Sequence, residues 1–203
     1  MKVRFPDLEE ALRYPSEFFR NQGRRKSNFG PTRYLTLRSV ALGFHRDNDI
    51  GASVALLEQR LRKFKTARGN DSYVEKLREY VLNFQRLGTT VARVRNNVKL
   101  PLRTEYGDFQ ITGQIARLDV DPAGGYRAWL LTNKTEEWRD ELRFPLIQVA
   151  CASQLDVDVE EVVPGVYDFS TGQYTALPSD KKAVQRAQRR LLVLLDELRS
   201  LRP

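Results

Sequence analysis

The residues of this 203-residue chain best suited to chemistry are basic. The apolar run AWLLTNKT, Ala128 to Thr135, stops at Thr132-Asn133-Lys134. It leaves a lysine at the end of a core strand, preceded by an uncharged threonine and asparagine. A point charge there suits a phosphate. Arg24, Arg25 and Lys26 lie in the loop GRRKSNFG, with Phe29 and Tyr34 close by, and basic clusters recur in RLRKFKTAR, RVRNNVK and KKAVQRAQRR. Such side chains neutralise backbone phosphates without reading bases, and aromatic rings beside them stack on unpaired bases. With 34 Lys and Arg against 26 Asp and Glu, the formal charge of +8 makes nucleic acid the first partner to expect.

Other chemistries find little support. Cys151 is the only cysteine, so the chain alone builds neither a disulfide nor a multi-cysteine metal site, and a reducing, cytoplasmic setting fits. It lies in the apolar run QVACA and reads as a buried structural thiol. His45, the only histidine, falls on an apolar helical face, where packing is commoner than ligation. There is no Walker loop, nucleophile elbow or His-Glu-x-x-His pair. The start, MKVRFPDLEEALRYP, lacks the apolar core of a signal peptide, and no run approaches the ~18 apolar residues of a membrane span.

The elements that must position these residues change character at Gly88. Before it, PDLEEALRYP starts a helix at Pro6-Asp7 that Pro15 interrupts, Thr32 to His45 reads as a helix, and a helical hairpin follows. Its arms carry apolar stripes at Val54, Leu57, Leu61 and Phe64 and at Val74, Leu77, Val81, Phe84 and Leu87, joined by TARGND. After Gly88, TTVARVRNNVKLPL and EYGDFQITGQIARLDVD alternate as strands, and YRAWLLTNK completes a meander as its central, doubly buried strand. ELRFPLIQVACASQL reads as a helix and VEEVVPGVYDFSTGQYTAL as one or two strands turning at STGQ. The chain closes on a helix capped by Ser179, with a stripe at Val184, Ala187, Leu191, Leu194, Leu195 and Leu198. The expectation is an α/β fold in one domain, 1–203: a helical part over 1–88, then a mixed-sheet β-β-β-α-β core over 89–203.

ITGQIARLDVDPAGGYRAWLLTNKTEEW…FPLIQVACASQL resembles the core of the RecB-like branch of the PD-(D/E)XK nuclease superfamily. Gly113-Gln114-Ile115 matches the start of the family's Gly-x-Ile-Asp pattern, Lys134-Thr135 the end of its Asp-x-Lys-Thr pattern, and Gln148 its helical glutamine. LRYPSEFF is similar to its early proline-aromatic segment, and His45 falls where some members carry a helical histidine. The resemblance implies two carboxylates holding a magnesium or manganese ion that activates water for phosphodiester cleavage. Those carboxylates align here with Ala116 and Thr132.

The resemblance therefore implies a nuclease fold with a degenerate metal site, Lys134 and Gln148 as remnants, and no cofactor. Arg24, Arg25, Lys26 and Lys134 would hold nucleic acid, with DNA expected. Family context points to a subunit of a protein complex in DNA repair, recombination or phage defence. One rival is an active magnesium- or manganese-dependent nuclease using displaced acids, Asp119, Asp121 or Glu136, with His45. In that rival, strict alternation sets Asp119 on the face opposite Ala116. The other rival is a protein-interaction module whose charge is incidental.

Overall fold

The alternating sequence after Gly88 forms two long antiparallel strands, β2 (Thr90–Thr104) and β3 (Gly107–Val120), paired along nearly their whole length. The PAGGY turn returns the chain into β4 (Tyr126–Thr132), antiparallel to β3, completing the expected meander. Helix α5 (Arg143–Leu155) crosses over to β5 (Val162–Asp168), which runs parallel to β4, and β6 (Gln173–Ala176) turns back as an edge. The path β2-β3-β4-β5-β6 leaves β4 in the middle, and the sheet is mixed as expected. The computed structural model describes residues 2–18, 32–64, 66, 68–104, 107–133 and 141–201. Arg24, Arg25, Lys26, Phe29, Lys134 and Glu136 lie outside them.

The helices begin and end where local chemistry dictates. Helix α2 (Arg33–Asp47) is capped by Thr32, α3 (Ile50–Leu61) by Asp49, and α4 (Asn70–Leu87) ends on Gly88 at φ 64°. A left-handed residue there favours glycine, which lacks a Cβ. The stripe foreseen on α6 (Lys181–Ser200) is buried at all six positions, but its cap is Asp180, whose Oδ1 accepts from Ala183 N at 2.6 Å. Ser179, expected to cap this helix, instead uses its backbone to bind Gln148.

The sheet separates two apolar layers. Helices α2, α3 and α4 cover one face through Leu37, Val40, Phe44, Leu57, Leu77 and Tyr80. Helices α1 (Leu8–Arg13), α5 and α6 cover the other through Leu8, Leu146, Ile147, Leu191 and Leu195. The expected helical part over 1–88 begins differently. Lys2–Arg4 form β1, parallel to β3 at Gln110, Ile111 and Thr112, followed by a 3-10 turn over Phe5–Asp7. Alternating Val3 and Phe5 are apolar enough to enter the sheet-facing core. Glu9 then caps a distant helix, accepting from Leu142 N at 2.6 Å and Arg143 N at 3.1 Å at the start of α5.

Candidate functional site

The regular pairing of β2 and β3 is broken between Val91, opposite Asp119, and Arg93, opposite Leu118, where β2 carries an extra residue, and again near Arg95. Val94 pairs with Arg117 and Asn96 with Ile115, while Arg95, between them, adopts φ 55°, a left-handed conformation that strains an L-residue. Across this point the faces exchange. Val94 and Ala116 pack with the α2–α4 layer, whereas Ile115 and Val98 pack with the α5–α6 layer. Arg117 also turns to the α2–α4 side, where it meets Tyr80, and Asp119 follows it. Asp119 therefore lies on the same side as Ala116, against the expectation, because the consecutive residues Ala116 and Arg117 both face the α2–α4 layer and break strict alternation along β3.

Arg117 is fully buried and is the hub of a polar network. Its Nε donates to Asp119 Oδ1 at 2.7 Å, and its Nη1 donates to Tyr80 Oη at 2.8 Å and Tyr174 Oη at 3.1 Å. The guanidinium stacks over Phe84, 4.4 Å from the ring centroid. The other Asp119 oxygen accepts from Thr89 Oγ1 and Trp129 Nε1, each at 3.0 Å. Burial raises the Asp119 carboxyl above its ordinary range, opposed by Arg117, Thr89 and Trp129. All three partners donate, so the group is held as carboxylate. Burial pushes Tyr80 up to about 12, keeping it a neutral phenol.

His45 joins this network from α2. Its Nε2 lies 2.6 Å from Tyr80 Oη and 3.3 Å from Arg117 Nη1. Burial, reinforced by the Arg117 charge, lowers it to about 3, so the ring is neutral in neutral solution. The sequence signals for this network were weak. Arg117 and Asp119 stand two apart in the mostly apolar IARLDV run, a pair of charges that need partners if the strand is buried, but Tyr80 and Tyr174 come from distant elements.

Two of the acids named for a displaced metal site are already engaged by cations. Asp119 already holds a guanidinium, and Asp121, at the β3–β4 turn, binds Arg127 Nη2 at 2.7 Å and Ala123 N at 3.1 Å. Among the described residues no three His, Cys, Asp or Glu side chains converge as a metal site would require. Gln148 is likewise engaged. Its Nε2 donates to Val159 O at 2.8 Å and Ser179 O at 3.1 Å, and its Oε1 accepts from Ser179 N at 3.1 Å. It fastens α5 to the segment entering α6. Cys151 is buried and pushed up to about 12, an inert thiol as expected.

At the end of β4, Asp168, Ser170 and Lys76, which carry no motif in the sequence, join Thr132 and Tyr34. Thr132 stands beside Asp168 in the parallel register, and Asp168 Oδ1 accepts from Ser170 N at 2.8 Å and Oγ at 2.7 Å. Lys76, from α4, reaches Asn133 Oδ1 at 3.0 Å, bringing a cation to the residue before Lys134. Tyr34, foreseen as a stacking residue, is half-buried and donates to Leu131 O at 2.6 Å. Its ring packs edge-on against Phe169.

No family model matches the chain, and no curated protein matches it in sequence. Its fold has solved counterparts. The structure titled "Putative exonuclease" from Eubacterium rectale superposes with a TM-score of 0.51 at 9% identity, covering 93% of this chain and 76% of that one. A second, SSO0001, gives a TM-score of 0.38 at 8% identity, covering 95% and 76%, too low to carry an argument. The chain shares the fold of that Eubacterium rectale protein, and no helix among the described residues is long and apolar enough to cross a membrane.

Proposed function

We propose that this chain is a RecB-like, PD-(D/E)XK-type nuclease-fold protein that binds nucleic acid through its phosphates and does not cut it, serving as a DNA-binding subunit in repair, recombination or phage defence. The observation that carries the reading is the engagement of Asp119. It is the acid nearest the Ala116 position, and both its oxygens are taken by Arg117, Thr89 and Trp129. The excess of basic residues supports a polyanionic partner. A nuclease-like fold at low identity leaves activity to be decided by the site.

The test follows cleavage and binding on the same DNA. Labelled single strands and duplexes are incubated with the protein and magnesium or manganese, and anisotropy is read across a salt series. Salt-sensitive binding without cleavage, weakened when Arg24, Arg25 and Lys26 are replaced by Gln, is the expected result. Absence of binding at low salt would favour a protein-interaction module. One observation favours an active enzyme as second reading: Asp168 supplies a carboxylate beside Thr132. Metal-dependent cleavage abolished by both Asp168→Asn and Lys134→Ala would establish that alternative.

A further inference from the structure

Between α2, α3 and β2 lies a depression of about 250 Å³ lined by Arg46, Arg60 and Arg95, with Ser39, Gly43 and Asp47 among its other walls. The three arginines come from different elements, and no carboxylate among the described residues is bonded to them. Arg95 reaches the depression because of its left-handed backbone, and its Nη2 is steadied by Ser39 Oγ at 2.9 Å. Among the described residues, its Nε and Nη1 have no partner, and Arg46 and Arg60 donate to none. Asp47 offsets one of the three charges and leaves the concavity cationic. Uncompensated guanidinium groups held together around a hollow repel one another unless an anion sits between them, and their forked donors match phosphate oxygens.

We infer that Arg46, Arg60 and Arg95 form a phosphate-binding pocket that grips the backbone of a nucleic acid. The inference rests on the nucleic-acid reading above and gives it a location among the described residues. Arg95 is opposite Ala116 on the neighbouring strand, so the pocket adjoins the strand position where the family places its first acid. A phosphate seated there anchors the strand without base contacts, so binding is insensitive to sequence.

Binding of a labelled single-stranded oligonucleotide is measured by anisotropy across salt concentrations for the full chain and its variants. Arg46→Gln with Arg60→Gln is expected to weaken binding about tenfold at low salt and to reduce the salt slope by about 1 per lost phosphate contact. Both side chains are exposed on helices, where glutamine is well tolerated. Arg13→Gln with Arg78→Gln, which removes two exposed charges elsewhere, should leave the slope unchanged. Arg95→Gly removes the side chain and relieves the backbone, so it should weaken binding without lowering the thermal midpoint. If the parent binds and the pocket variants bind equally with the same slope, the pocket is refuted and the nucleic-acid reading stands. If the parent binds no oligonucleotide at low salt, both fall.

Discussion

Arg117 Nε and Asp119 Oδ1 meet at 2.7 Å with neither side chain exposed to water. Two residues apart on one strand, they form an ion pair inside the protein, stacked under Phe84 and bonded to Tyr80 and Tyr174. Such a pair is costly to desolvate and costlier to break, because removing one partner leaves the other buried and uncompensated.

Asp119→Asn should therefore destabilise the fold by roughly 3–5 kcal/mol, read as a fall in the urea midpoint. Arg117→Met combined with Asp119→Leu should recover much of that loss, since two apolar groups replace the pair. A metal ligand at Asp119 would behave differently. Its substitution would raise stability by removing charge and abolish any divalent-ion dependence, so an increased midpoint would refute the structural role.

His45 makes stability depend on pH with a definite sign. Its folded value of about 3 lies below the ordinary 6.5, so between those values the unfolded chain binds the proton more readily than the native one. Stability therefore rises with pH across this window and is lost as pH falls, with a slope approaching about 1.4 kcal/mol per pH unit from this group. Urea melts from acid to neutral pH should show a shallower slope in His45→Gln than in the parent. Equal slopes would mean that the ring is solvated and not held between Tyr80 and Arg117.

Gln148 provides a third test. Its amide makes two donor bonds and one acceptor bond to the backbone at Val159 and Ser179. Gln148→Leu leaves those backbone groups unpaired and should cost about 1–3 kcal/mol, with DNA binding retained by the folded fraction. A loss of binding at unchanged stability would instead return Gln148 to the functional site.

The elements were legible because their signals are local. The α6 stripe, the caps at Thr32 and Asp49, the Gly88 stop and the β2–β3–β4 meander each need only a short window of sequence. The site was less legible because its members come from afar. Glu9 caps α5 from over a hundred positions away, and Tyr80 and Tyr174 converge on Arg117 from a helix and an edge strand. The break in alternation at Ala116–Arg117 was hidden for another reason. Two consecutive strand residues turned to one layer carry no local sequence signature, so counting by twos from Ala116 put Asp119 on the wrong side.

The pairing of Lys2–Arg4 with Gln110–Thr112 also constrains how the chain is made. That first strand leaves the ribosome about a hundred residues before its partner and cannot settle until β3 has followed. Its apolar Val3 and Phe5 must wait exposed in the nascent chain. Closing this long loop costs more chain entropy than the local β2–β3 pairing, so β1 is expected to dock after the hairpin has formed.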